Sequence, residues 1–200
     1  MWMLLLLLAA TPFWQEKAPA EWNDLQIAQF LNDSPWAHAA KGNTKVTGAP
    51  VQTYLATSAF VERVEKERNR RAALRRKQEE GALAEEYRFW FEDNRKEQVI
   101  LAVRVSTPTV GTPLAFSNES EVRRMQEDST MHSGSRSVKM SGYFPPSAND
   151  PYLHLAFPRS IIQTSEKYLS FQLYLPGIAG PYRTVDYLPN EMLVDGKADY

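Results

Sequence analysis

The spacing of apolar positions changes several times along this chain, and each change marks an element. Residues 2–10 are one apolar run that ends in Ala9 and Ala10 before Thr11 and Pro12. Residues 15–20 are polar and contain a proline, and residues 11–20 read as a linker. Helical spacing then begins: Ile27, Phe30 and Leu31 form one stripe, Asn23 and Gln26 make a capping box, and Pro35 stops the helix. Residues 39–48 carry neither period and read as a loop. Residues 51–57 alternate as a strand, with Val51, Thr53, Leu55 and Thr57 on one face.

Ser58 is placed to cap a helix over residues 59–80. Its first turns offer Phe60, Val61 and Val64 to a core, and its last turns offer Ala72, Ala73 and Leu74. Residues 65–71 between them are wholly polar and are expected in water, with Glu62–Lys66 and Glu67–Arg71 in the favourable i,i+4 order. After Gly81, helical spacing resumes at Leu83, Tyr87, Trp90 and Phe91 up to Asn94. Residues 98–106 are the clearest strand, apolar on both faces through Ile100 and Ala102, so the preceding helix is expected to cover the second face. Strand, helix and strand in that order predict a βαβ unit with a right-handed crossover.

Residues 107–116 are a loop rich in Pro, Gly and Thr, and Asn118 with Glu121 opens a short polar helix to residue 128. Residues 129–135 read as a loop. Strands are predicted at 138–144, 152–157, 167–175 and 182–187, separated by turn residues. In 167–175 the alternation is clean, with Leu169, Phe171, Leu173 and Leu175 inward and Tyr168, Ser170, Gln172 and Tyr174 outward. The predicted class is α+β. One βαβ-like unit precedes a mainly antiparallel C-terminal sheet, in a single domain over residues 11–200.

Composition sharpens this picture in two places. A run of this length is about half of the roughly 20 residues that span a bilayer, and it fits the core of an export signal cut after Ala10. No Lys or Arg precedes the leucines, which leaves an upstream start open. The chain has no cysteine, so disulfides, thiolate nucleophiles and cysteine zinc sites are excluded. An exported chain without cysteine points to a bacterial periplasm or medium. The net charge of −1 offers no basic footprint for nucleic acid. No second apolar run is long enough to span a membrane.

Chemistry is sparse. No nucleophile elbow, phosphate loop or metal-ligand spacing occurs. His38 and His132 fall in expected loops and read as solvated. His154 lies mid-strand with Tyr152 on the face opposite Leu153 and Leu155. If that strand pairs with residues 167–175, Tyr152, His154, Tyr168, Gln172 and Tyr174 share one aromatic, polar face able to hold a small ligand or peptide. The simpler reading is an amphipathic sheet surface resting on a helix. Trp22, Trp36 and Trp90 are further candidate surfaces. The basic cluster of residues 63–77 reads either as an ion-paired helix face or as a site for an anionic partner.

At Asp33-Ser34-Pro35-Trp36-Ala37 the chain resembles a group of uncharacterised exported bacterial proteins that carry this pentapeptide soon after a signal peptide. Phe157-Pro158-Arg159-Ser160 and the closing segment from Val194 to Tyr200 extend the likeness. The resemblance implies export and a single domain, and implies no activity. The expectation is an exported, non-catalytic envelope protein, periplasmic or secreted, that binds a protein or small ligand without cofactor or metal. The alternative is a periplasmic hydrolase using carboxylates or His154. Sequencing the amino terminus of the protein recovered from the envelope should give Thr11 first. A product that still begins at Met1 would contradict export by cleavage.

Overall fold

A computed structural model describes residues 12–42, 49–76, 85–105, 116–147, 150–163 and 165–200. The expected signal run, the loop around residue 110 and Gly81 with Leu83 lie outside the described residues. The described helices are α1 (Phe13–Glu16), α2 (Asp24–Phe30), α3 (Ala59–Arg76), α4 (Glu85–Asn94) and α5 (Glu119–Asp128). The strands are β1 (Ala37–Gly42), β2 (Val51–Leu55), β3 (Gln98–Val105), β4 (Thr130–Ser133), β5 (Arg136–Lys139), β6 (Gly142–Phe144), β7 (Leu153–Pro158), β8 (Leu169–Tyr174) and β9 (Tyr182–Tyr187). A terminal hairpin adds β10 (Leu193–Val194) and β11 (Lys197–Ala198). The α+β class holds, with the sheet dominant.

The first nine strands form one sheet in the order β5-β4-β8-β9-β1-β2-β3-β7-β6. Every pairing in it is antiparallel. Its two outermost strands follow one another in the chain, with Met140 and Ser141 alone between them. Met140 N–H donates to Ser129 O at 3.1 Å on one side, and Ser141 N–H donates to Ala156 O at 2.8 Å on the other. The sheet therefore curls until its edges become one bent strand. A second corner lies in β1, whose residues 37–40 pair with β2 while Lys41 and Gly42 pair with β9. Strands that switch halves at such corners are how two sheets pack across one core.

The core lies between the halves. Phe157 meets Phe171 at 5.2 Å between ring centroids, and Phe171 meets Tyr187 at 5.9 Å. Tyr187 is fully buried, and its hydroxyl is satisfied by Thr53 Oγ1 at 2.7 Å. Burial pushes the Tyr187 phenol upward, so it stays protonated. Val99, Leu101 and Val103 fill the same space from β3.

The predicted crossover is corrected by the register. Leu55 pairs with Leu101 and Val51 with Val105, so β2 and β3 are antiparallel neighbours. The described part of the connection holds two helices, α3 and α4. Arg95, just past α4, reaches Glu62 in the first turn of α3 at 2.9 Å, so the chain returns to the end of the sheet it left. Two loop predictions are also corrected. β1 and β4 form where little local β propensity exists, because neighbours on both sides supply their hydrogen bonds. His38 thus sits in β1, half-buried, 5.0 Å from the Tyr187 ring, and burial lowers its pKa.

The expected linker is packed as well. Phe13 and Trp14 in α1 join a cluster around Phe30, which also touches Trp22 at 5.3 Å, Trp36 at 5.6 Å and Phe60 at 5.2 Å. Trp22 and Trp36 are 2% exposed, so they are core and not ligand surfaces. The three segments that carry the resemblance converge beside this cluster. Trp36 donates its indole N–H to Asp199 O at 2.6 Å, and the Arg159 guanidinium donates to Tyr200 O. The Asp199 carboxylate accepts from Ala59 N at 2.8 Å and Phe60 N at 3.0 Å, while Ser58 Oγ accepts from Val61 N at 3.1 Å. The first turn of α3 is thereby capped by its own serine and by a residue from the far end of the chain. The β10–β11 hairpin delivers that residue through Asp195 (φ 51°) and Gly196 (φ 72°), the left-handed pair a two-residue turn requires.

The polar middle of α3 lies in water only in part, with Lys66 and Arg70 exposed. Glu65, Glu67, Arg68 and Arg71 have side chains 14%, 9%, 25% and 18% exposed. Tyr54 donates to Glu65 at 2.5 Å and Arg68 to Tyr152 Oη at 3.2 Å, so the sheet answers the helix with hydroxyls. Glu67 accepts from Arg70 at 2.8 Å and Arg71 at 2.6 Å. Arg70 first, then Arg71, hold the Glu67 carboxyl down to about 2 against the opposing effect of burial. A pKa below the unfolded value of 4.5 stabilises the fold above that pH, and the contribution is lost as pH falls through about 2. E67Q should therefore be less stable than wild type in urea at pH 7, with the gap closing as the pH is lowered. A gap that is constant between neutral and acid pH would contradict this.

Candidate functional site

The two faces turned away from the core differ in their cover. On the half made by β2, β3, β7 and β6, one register row runs Tyr54, Ala102, His154, Phe144. α4 lies over it. Tyr87 stacks on the His154 ring at 4.2 Å and 23°, and Trp90 meets Phe144 at 5.1 Å. The expected cover over Ala102 and Ile100 is present. His154 is 3% exposed, with Nε2 at 2.7 Å from Asp150 Oδ2. His154 Nδ1 is buried and has no partner among the described residues. A histidine oriented by an aspartate has the form of a general base. Tyr87, itself 4% exposed, closes the approach to the ring face. Among the described residues no group of three or more His, Asp and Glu could hold a metal ion.

The pairing that would join the five predicted residues does not occur. β7 pairs with β3 and β6, while β8 pairs with β4 and β9. Tyr152 and His154 stay together under the helices, with ring centroids 6.5 Å apart. Gln172 and Tyr174 lie on the opposite half, and Tyr168 is exposed just before β8 beneath the Lys167 ammonium at 5.1 Å. The register could not be read because each strand has an apolar face that suits several neighbours.

On the second half, α5 covers only part of the outer face. Asn118 caps it as expected, with Oδ1 accepting from Ser120 N at 3.1 Å and Glu121 N at 3.4 Å. The Glu121 side chain accepts instead from Tyr174 Oη at 2.7 Å, and burial first, then this hydrogen bond, raises the pKa of the buried Tyr174 phenol. Arg124 stands 5.2 Å from the Tyr174 ring. Beside this contact the sheet is open. A groove of about 560 Å³ is lined by Glu127, Asp128, Thr130, Gln172, Tyr182 and Thr184, with Leu173 and Arg183 completing it. This volume falls in the range of small-ligand sites, about 300–1,000 Å³.

Its floor is a second register row, in which Thr130 faces Gln172 and Gln172 faces Thr184. Tyr182 forms one wall, 39% exposed, held by its hydroxyl donating to Asp128 at 2.7 Å and by an edge contact with Tyr174 at 5.2 Å. The Arg183 guanidinium turns back to the carbonyls of Ala179, Gly180 and Tyr182, and burial lowers its pKa. The groove can thus offer an amide, two hydroxyls, two carboxylates and an aromatic face. Sequence reasoning found Gln172 and Tyr174 through the outward alternation of β8. It missed Thr130 because β4 read as a loop, and Tyr182 and Thr184 because their strand carried no unusual residue. Comparisons of the chain with protein-family models, with curated proteins and with solved structures return no match.

The buried pair makes a stability prediction. His154→Ala removes the ring under Tyr87 and leaves Asp150 Oδ2 buried without its donor, while Oδ1 keeps the Tyr152 N–H, which should cost about 3 kcal/mol or more in urea unfolding. A loss below about 1 kcal/mol would show that the pair is not part of the packed interior.

Proposed function

We propose that this chain is an exported, non-catalytic protein of the bacterial envelope, periplasmic or secreted, that binds a small polar ligand in the groove on β4, β8 and β9. The single observation that carries this reading is the uncovered groove itself, an open row of hydrogen-bonding side chains beside a fixed aromatic ring. Its chemistry suits a neutral polyhydroxylated ligand such as a sugar unit. Gln172 both donates and accepts, Glu127 and Asp128 accept from hydroxyls, and the Tyr182 face packs against C–H groups. Export is supported by the apolar run before Thr11, the absence of cysteine and the resemblance at residues 33–37. No described helix is long and apolar enough to cross a membrane.

A hydrolase using His154 is the second reading. It is favoured by the unpartnered Nδ1 of a histidine already paired with Asp150. The closed packing over that ring supports a structural role more strongly.

Titration with neutral mono- and disaccharides, followed by backbone amide NMR, tests the first reading. Saturable shifts are expected at Thr130, Gln172 and Thr184, and Tyr182→Ala should weaken binding about tenfold. Absence of any shift at those positions across the panel would overturn the assignment of ligand class.

A further inference from the structure

Several cations of α3 are absorbed by ion pairs. Arg71 and Arg75 hold Asp24 at 3.0 and 2.6 Å, Arg71 also holds Glu67, and Lys66 and Arg95 share Glu62. Arg68 lies 3.4 Å from Glu65, and its other donors reach Asn69 and Tyr152. Arg104 on β3 is exposed and has no carboxylate partner among the described residues. Its guanidinium carbon lies 6.0 Å from the centre of the Tyr152 ring, and that of Arg68 lies 5.2 Å from the same ring.

These residues border a concavity. A cleft of about 140 Å³ separates α2, α3 and β3, with Arg68, Arg75, Arg104 and Tyr152 on one side and Ile27 and Leu31 on the other. Asp24 stands at its rim as a carboxylate already seated on two guanidiniums. We infer that this cleft is a binding site for a short aliphatic carboxylate, with Arg104 as the principal ion-pair partner.

Three features fix that chemistry. The Arg104 guanidinium, with no carboxylate partner among the described residues, presents the planar fork that matches a carboxylate. The Ile27 and Leu31 wall suits a hydrocarbon stub and not a fully hydrated inorganic anion. The volume equals about five waters, at roughly 30 Å³ each, which leaves room for a few heavy atoms beside the charge. The carboxylate can belong to a free acid or to the end or side chain of a peptide, since both present the same group. The site is separate from the saccharide groove, so either assignment can fail without the other.

Arginine Nε–Hε NMR signals of the whole protein, titrated with sodium butyrate, provide the test. Butyrate should shift the Arg104 signal saturably, whereas butan-1-ol and sodium chloride at matched ionic strength should not. R104Q should weaken butyrate binding about tenfold or more with no change in the melting temperature. R104K should retain part of the binding because a lysine keeps the charge and loses the fork. An acetylated trialanine acid and its C-terminal amide form the second arm. Tighter binding of the peptide acid than of butyrate assigns the site to a polypeptide carboxylate, and weaker binding assigns it to a free acid. A chloride response equal to that of butyrate, or unchanged affinity in R104Q, would overturn the site.

Discussion

Lys139 and Gly142 belong to opposite edges of the sheet and are joined by two residues, so the nine strands have to close on themselves. Met140 is hydrogen-bonded toward β4 and Ser141 toward β7. This seam ties the two end strands of the sheet together through one continuous stretch of backbone. It also fixes which residues face inward, because a shift of one position would reverse every side chain of the adjoining strands. Phe157, Phe171 and Tyr187 meet in the interior only when the two halves are wrapped over one another.

Closure decides where the surface chemistry lies. One outer face is broad and apolar enough to need α3 and α4, and the buried His154–Asp150 pair is a consequence of that cover. The other outer face is capped by α5, a helix of ten residues and about 15 Å. The part of the second face that α5 leaves open is the groove. The small cleft beside Arg104 lies where α2 and α3 meet the margin of the first face. The C-terminal segment fixes α3 at its first turn through Asp199, and Trp36 in turn holds Asp199. The pentapeptide around Pro35 therefore has a structural role in holding that segment.

Much of the local structure could be read from the residues. Ser58, Asn23 and Asn118 cap their helices as their types suggest, β3 is buried on both faces as its apolar run suggests, and β9 forms where its strand was expected. The failures share one cause. β1, with the sequence Ala-His-Ala-Ala-Lys-Gly, and β4, with Thr-Met-His-Ser, owe their strand form to partners far along the chain. Glu65 and Arg68 were expected in water because a local pattern cannot show that Tyr54 and Tyr152 will meet them. The groove was half legible for the same reason. The outward alternation of β8 exposes Gln172, but its neighbours Thr130 and Thr184 come from strands 42 and 12 positions away, a register that no local spacing encodes.

Native-state amide hydrogen exchange tests the seam directly. If the sheet is closed, the Met140 and Ser141 amides exchange only through global unfolding, with the same opening free energy as Leu101 at the centre of β3. Rapid exchange of both amides by local opening, while Leu101 remains protected, would show an open sheet and contradict the account.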